Sequence, residues 1–251
     1  MATPELIAGP SWRTIDFISD LHLQASDAAT FNAWRHYMQN TPADAVFILG
    51  DLFEVWVGDD ALLPASFELQ CAQVIQETSA RVPTFFMHGN RDFLVGQALM
   101  QACSTTLLAD PTVLVFNQQR WLLSHGDALC IDDTAYMAFR QQVRSQAWQQ
   151  MFLAKPLAER QAIARGLRQQ SESVKKSALD YADLDSALTT AWLRAANAAK
   201  LIHGHTHKPR EHPLPGGLQR VVLSDWDAQA LPPRAEVLRL TAGGLQRIVV
   251  L

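Results

Sequence analysis

The sequence predicts a layered α/β fold interrupted by an inserted helical cap. Three observations predict it. Apolar strand-like runs alternate with helix-like runs along the chain. Five of the strands end in a cluster of Asp, Asn or His, usually beside Gly, and ligands of open α/β sheets bind beyond the carboxyl ends of strands. The clusters are also almost evenly spaced. Asp20 to Asp51 is 31 residues, Asp51 to Asn90 is 39 and Asn90 to His125 is 35, whereas His125 to His203 is 78. Each short interval fits one strand–helix–strand unit, and the long one holds an insertion.

The elements follow in order. TIDFISDLHL (14–23) reads as a buried strand ending near Asp20, and FNAWRHYMQN (31–40) has helical apolar spacing. DAVFILGDLF (44–53) is a second strand, ending at Gly50-Asp51. FELQCAQVIQETSA (67–80) is a helix that Pro83 stops. VPTFFMHGNRDF, QRWLLSHGDAL and AAKLIHGHTHKP are three further strands, ending at His88-Gly89-Asn90, His125-Gly126-Asp127 and His203-Gly204-His205. RVVLSDW, AEVLRLTAGG and LQRIVVL look like short antiparallel strands. The core is thus expected at 14–133 and 191–251, the cap at 134–190, and residues 1–13 as a loose N-terminal extension.

The charge distribution sets the cap apart. Within 134–177 eight Lys and Arg face only Glu159 and Glu172, a net +6, while the whole chain carries −4, so the remainder carries −10. The same segment holds Tyr136, Phe139, Val143, Trp148, Met151, Phe152, Leu153, Leu157, Ile163 and Leu167, enough for amphipathic helices. Composition excludes other classes. With 48% apolar and 18% charged residues the chain is not disordered. An acidic whole without an aromatic-interleaved basic groove argues against nucleic acid as a partner. Three scattered cysteines form no disulfide framework. No run of 18 apolar residues spans a bilayer, and the first dozen residues do not read as a signal peptide.

The strand ends gather Asp20, His22, Asp51, Asn90, His125, His203 and His205. These are oxygen and imidazole donors without a thiolate, a set suited to Mn²⁺, Fe²⁺ or Zn²⁺. Asp20 and His22 lie two apart on an extended segment and can point the same way, as can His203 and His205. Seven donors are too many for one tetrahedral ion and right for two adjacent ions. Asp51 is placed to bridge them, and paired ions stabilise in-line displacement at phosphorus. His207 is expected beside the ligands rather than among them.

The ordered set SDLH, GD, GNRD, HGD and HGHTH resembles the calcineurin-like metallophosphoesterase superfamily. GDLFEVWVGDD (50–60), HGNRDFLVG (88–96), HGDALCIDD (125–133) and HGHTHKP (203–209) narrow the resemblance to the UDP-2,3-diacylglucosamine pyrophosphatases of lipid A biosynthesis. It implies a sandwich of two sheets flanked by helices, two Mn²⁺ ions per chain, and hydrolysis of UDP-2,3-diacylglucosamine to UMP and 2,3-diacylglucosamine 1-phosphate by a metal-activated water. It implies peripheral contact with the cytoplasmic face of the inner membrane, and a monomer is expected. The seven residues above match the family's metal ligands. Asp51, Asn90, Arg91 and His125 form the catalytic set. Asn90, Arg91, Asp133, Ser171 and His203 match substrate contacts, and either Lys175 or Lys176 takes the place of a cap lysine. Two rivals remain: a soluble dimetal phosphodiesterase or nucleotide pyrophosphatase, which needs no apolar channel, and a binding scaffold, which should lack ligands.

Overall fold

Strands 14–18, 45–49 and 84–87 are buried at almost every position, a pattern that requires cover on both faces. The computed structural model describes residues 3–177 and 183–250, and the side chains of those outside 169–177. In chain order the first half runs β1 (Glu5–Ile7), β2 (Thr14–Ile18), α1 (Ala28–Asn40), β3 (Ala45–Leu49), α2 (Phe67–Ser79), β4 (Thr84–Met87), α3 (Gln97–Ala102), β5 (Thr106–Leu108), β6 (Thr112–Phe116) and β7 (Gln119–Ser124). The second half runs α4 (Thr134–Val143), α5 (Gln146–Leu153), α6 (Leu157–Ser177), α7 (Ser186–Ala195), β8 (Lys200–His203), β9 (Glu211–Leu214), β10 (Leu218–Val222), β11 (Glu236–Thr241) and β12 (Gly244–Val249).

Two six-stranded mixed sheets result, ordered β1-β6-β7-β8-β10-β9 and β12-β11-β2-β3-β4-β5. Side-chain alternation sorts the core into layers. Ile15, Phe17, Phe47, Leu49 and Phe85 meet Leu114, Trp121, Leu123 and Ile202 between the sheets. The opposite sides of β2, β3 and β4, through Ile18, Val46, Ile48 and Phe86, pack under α1, α2 and α3. Asp27 and Ser66 cap α1 and α2, each accepting a backbone N–H three residues on.

One buried ion pair crosses the second sheet. Arg239 on β11 lies opposite Asp16 on β2 and donates to both its oxygens, at 2.7 and 2.8 Å. Tyr37 and Thr41 hydroxyls complete the shell around this fully buried carboxylate. Arg239→Ala should therefore cost about 3 kcal/mol, because it leaves a buried charge without its cation. Urea unfolding of the variant measures it, and a midpoint equal to that of the wild type would contradict it.

Three expectations change. Residues 3–13 are not a loose extension, since β1 pairs in parallel with β6 and Trp12 packs edge-on against Phe47 and Phe85. The strand read at 220–226 is β10, which pairs antiparallel with β9 as expected but also runs parallel to β8 in the first sheet, while β11 and β12 extend the second sheet in antiparallel fashion. The boundary expected at 190 falls inside α7. That helix packs through Leu193 and Ala196, with Leu184, on Val113, Leu122 and Leu201 of the first sheet. The inserted segment is α4 to α6, which packs back on the core through Phe152, with Trp148, Leu157 and Ile163 beside it. Its two ends meet where the Asp185 amide donates to the Leu129 carbonyl at 2.9 Å.

Candidate metal centre

The strand-end loops are held in unusual backbone. Asp20, His22, Asp51, His205 and His207 all have positive φ, between 48° and 68°. Non-glycine residues take this conformation at a cost, and such residues cluster at functional sites. Parallel ties keep the first two loops in register: the His22 amide donates to Asp51 O and the Leu23 amide to Leu52 O. Gly89 and Gly204 allow the closest approach, because a Cβ on either would strike the Asp51 or Asp20 carboxylate.

Two groups of ligand atoms form there. Asp20, His22 and His207 make one, and Asp20, Asp51 and His125 the other, with the atoms of each group within 4.8 Å of one another. Asp20 is common to both. Asp51, expected to bridge, lies in the second, with Oδ1 accepting the Arg91 amide at 2.8 Å. Asn90 Oδ1 lies 3.0 Å from His125 Nε2 and 2.9 Å from His205 Nδ1. The other nitrogen of His125, Nδ1, donates to the Leu49 carbonyl at 2.9 Å, which turns Nε2 into the site.

The electrostatics ask for a cation. Burial pushes the Asp51 carboxyl up to about 6 against the pull of His125, and the Asp20 charge adds to the rise. Burial would also raise Asp20, but a hydrogen bond from His207 and the surrounding imidazoles outweigh it and hold Asp20 far below the usual carboxylate range. Burial lowers His125, yet Asp51, Asp20 and Asp127 overcome it and lift the ring to about 9. Burial takes His22 and His205 down to about 3, so both are neutral, the form that binds metal. With Nδ1–H committed to Leu49, His125 Nε2 faces the Asn90 oxygen. Two facing acceptors need a second ring proton or a cation between them. Two buried carboxylates, neutral imidazoles and an amide oxygen fit a pair of divalent ions.

Residues 13–209 match the calcineurin-like phosphoesterase family. The chain belongs to that family. This phosphoesterase is 40% identical to a Ralstonia nicotianae protein named UDP-2,3-diacylglucosamine hydrolase, over 98% of its own length and 94% of that protein. It is 43% identical to the Chromobacterium violaceum protein of that name, over 93% and 98% of the two chains. It is 41% identical to the one from Xanthomonas campestris pv. campestris, over 91% and 96%.

The phosphoesterase brings Asp20, His22, Asp51, Asn90, His125 and His205 together, and sets His207 rather than His203 beside them. His203 is the last residue of β8 and shares its side of the strand with Leu201, which packs toward α7. Its buried Nδ1 lies 2.8 Å from the Gly204 carbonyl, and the ion pair of Arg220 with Asp183 is among its charged neighbours. His207 takes its place, with Nε2 3.3 Å from Asp20 Oδ1 and 3.4 Å from His22 Nε2. The histidine pair at the site is thus His205 with His207. His207→Ala should lower the divalent metal bound by about one ion per chain if His207 holds it, since a ligand matters at least as much as its outer partners. His203→Asn should leave that content unchanged. Metal analysis of the folded variants decides, and the reverse pattern would restore His203 to the site.

Arg91 sits at the rim, its guanidinium 3.6 Å from Glu54. Asp133 is exposed and caps α4, accepting the Tyr136 amide at 2.9 Å. Ser171, Lys175 and Lys176 fall on α6, and their side chains lie outside the described residues. The cap's arginines mostly meet the core. Arg140, Arg144 and Tyr136 converge on buried Asp127, with Arg140 Nε at 2.8 Å and the Tyr136 hydroxyl at 2.7 Å. Arg144 also donates to Gly89 O, Arg160 binds Val57 O and Asp60, and Arg168 Nε reaches Glu54 at 2.9 Å. Much of the cap's positive charge therefore fastens it over the strand ends. Sequence reasoning missed Glu54 and Asp127 as its seats, although both stand inside quoted motifs, GDLFE and HGD.

Proposed function

We propose that this chain hydrolyses the pyrophosphate bond of UDP-2,3-diacylglucosamine, giving UMP and 2,3-diacylglucosamine 1-phosphate in lipid A biosynthesis. The observation that carries the reading is a two-group metal centre beside a basic cap that exposes apolar residues, in a chain about 40% identical to relatives bearing that hydrolase name. Asp20, His22 and His207 would hold one ion, and Asp51, Asn90, His125 and His205 the other. Mn²⁺ is the ion we assign. Such ions bring the pKa of water toward neutrality and offset charge at phosphorus.

The chain's own residues do the rest. Arg91 at the rim offers a planar pair of donors to a phosphate oxygen. Phe139, Met151, Leu153 and Leu167 expose apolar surface on the cap, which suits acyl chains. No protein nucleophile is needed: burial pushes the Cys130 thiol up to about 12, so it is not a thiolate. The enzyme acts as a monomer in peripheral contact with the cytoplasmic face of the inner membrane. None of the described helices is long and apolar enough to cross a membrane.

The test is incubation with purified UDP-2,3-diacylglucosamine and Mn²⁺ in ¹⁸O-water. UMP release with the label in UMP is expected, because water attacks the phosphorus next to uridine. Label in the lipid phosphate would reverse the regiochemistry, and no UMP would leave the soluble phosphodiesterase reading ahead.

A further inference from the structure

Glu54 occupies a position that the chemistry above does not use. Its backbone is stitched to the first strand-end loop, the Glu54 amide donating to Leu23 O at 3.1 Å beside the Leu23–Phe53 bridge. That fixes its buried carboxylate next to His22. Among the described residues three groups face it. His22 Nδ1 lies 3.4 Å from Oε2, Arg91 Nη1 3.6 Å from Oε1, and Arg168 Nε 2.9 Å from Oε1. One is a metal-group histidine, one the rim arginine, and one a residue of the cap helix α6.

We propose that Glu54 is a positioning residue that orients His22 from behind and fastens the cap to the same point. The first half follows from ligand chemistry. His22 turns Nε2 toward His207, 3.4 Å away, so an ion held on Nε2 would leave the ring proton on Nδ1, facing Glu54. A carboxylate behind a ligating imidazole fixes its tautomer and ring angle and raises its basicity. The 3.4 Å approach is a charge contact short of an aligned hydrogen bond, and a small rotation of the ring would align it. The second half follows from charge. Both guanidiniums approach Oε1, so one carboxylate ties the rim and the cap helix to the same point. Arg168 is held against the core, and Arg91 stays available to a phosphate. Cap position and metal affinity are thereby linked through one side chain.

The test rests on the proposed substrate only in its kinetic part. Mn²⁺ titration of the metal-stripped, folded protein should show Glu54→Ala binding about 10–100-fold more weakly than wild type. Glu54→Gln preserves the volume and serves if the alanine variant does not fold; it too should bind more weakly. Arg168→Met should keep wild-type Mn²⁺ affinity while raising KM for UDP-2,3-diacylglucosamine. Glu54→Ala should raise KM as well, and adding Arg168→Met to it should raise KM no further. A merely structural ion pair would move KM and stability but not Mn²⁺ affinity. Wild-type Mn²⁺ affinity in the folded Glu54 variants would overturn the proposal, as would additive KM effects in the double variant. Inactivity of the wild-type chain on the diacyl substrate would strike the substrate reading alone, since the metal titration needs no substrate.

Discussion

Asp51→Ala and His125→Ala should each lose more than about 10²-fold in kcat/KM, because even outer partners of a ligand cost 10–100-fold and these two lie among the ligand atoms themselves. The fold should survive. Without an ion the Asp51 carboxyl is a buried group pushed up to about 6 even against the pull of His125, so relief of its desolvation offsets the Arg91 amide bond and the His125 contact that its removal gives up. His125→Ala gives up the Nδ1 bond to Leu49 O and the Nε2 contact with Asn90 Oδ1, each worth about 1 kcal/mol. EDTA should take the wild type down to the level of the variants, and Mn²⁺ should restore only the wild type. Thermal unfolding alongside the assay separates loss of chemistry from loss of structure. A variant that retains full activity after metal stripping would end the two-ion account.

The second large effect concerns the acyl chains. Full burial of a methylene contributes about 0.8 kcal/mol, close to fourfold in affinity, so kcat/KM should climb steeply with chain length until the cap's apolar surface is filled. Phe139, Met151, Leu153 and Leu167 are the exposed cap residues placed to supply that surface. Replacing Met151 and Leu153 by Ser should flatten the dependence on length. It should leave hydrolysis of bis(p-nitrophenyl) phosphate nearly unchanged, because the metal groups lie outside the insertion. Equal kcat/KM for long-chain and deacylated substrates would show that the cap binds no acyl chain.

Much of this was legible in the sequence because strand ends carry both kinds of signal at once. A run such as DAVFILGD announces a two-sided buried strand by its apolar residues and a ligand by the Asp that follows Gly. The doubled interval before HGHTH likewise placed the cap. What failed did so for local reasons. In HGHTH three histidines alternate, and spacing alone permits either adjacent pair. The choice depends on where β8 ends, and the strand keeps His203. The strands β5 and β6 lie in a stretch where Pro111 interrupts the apolar pattern, so no single run stood out there. β1 is three residues long and takes its meaning only from β6 beside it. The cap's basic residues pointed toward anions, but a count of charge does not say which anions. Asp127, Asp60 and Glu54, carboxylates of the core itself, take four of the arginines.

The hydrogen bond between Asp185 and Leu129 has a wider meaning. Because the segment between them leaves and returns at one point, the core sees it as a closed side loop, and the cost of joining its ends grows only slowly with its length. What lies inside can be lengthened, shortened or exchanged while β7 and β8 remain neighbours in the sheet. The metal floor and the excursion above it are thus joined at one crossing of the chain and at the carboxylates Asp127, Asp60 and Glu54 that seat its arginines. A lineage can keep its chemistry at phosphorus and still change its clientele by rewriting one excursion of the chain.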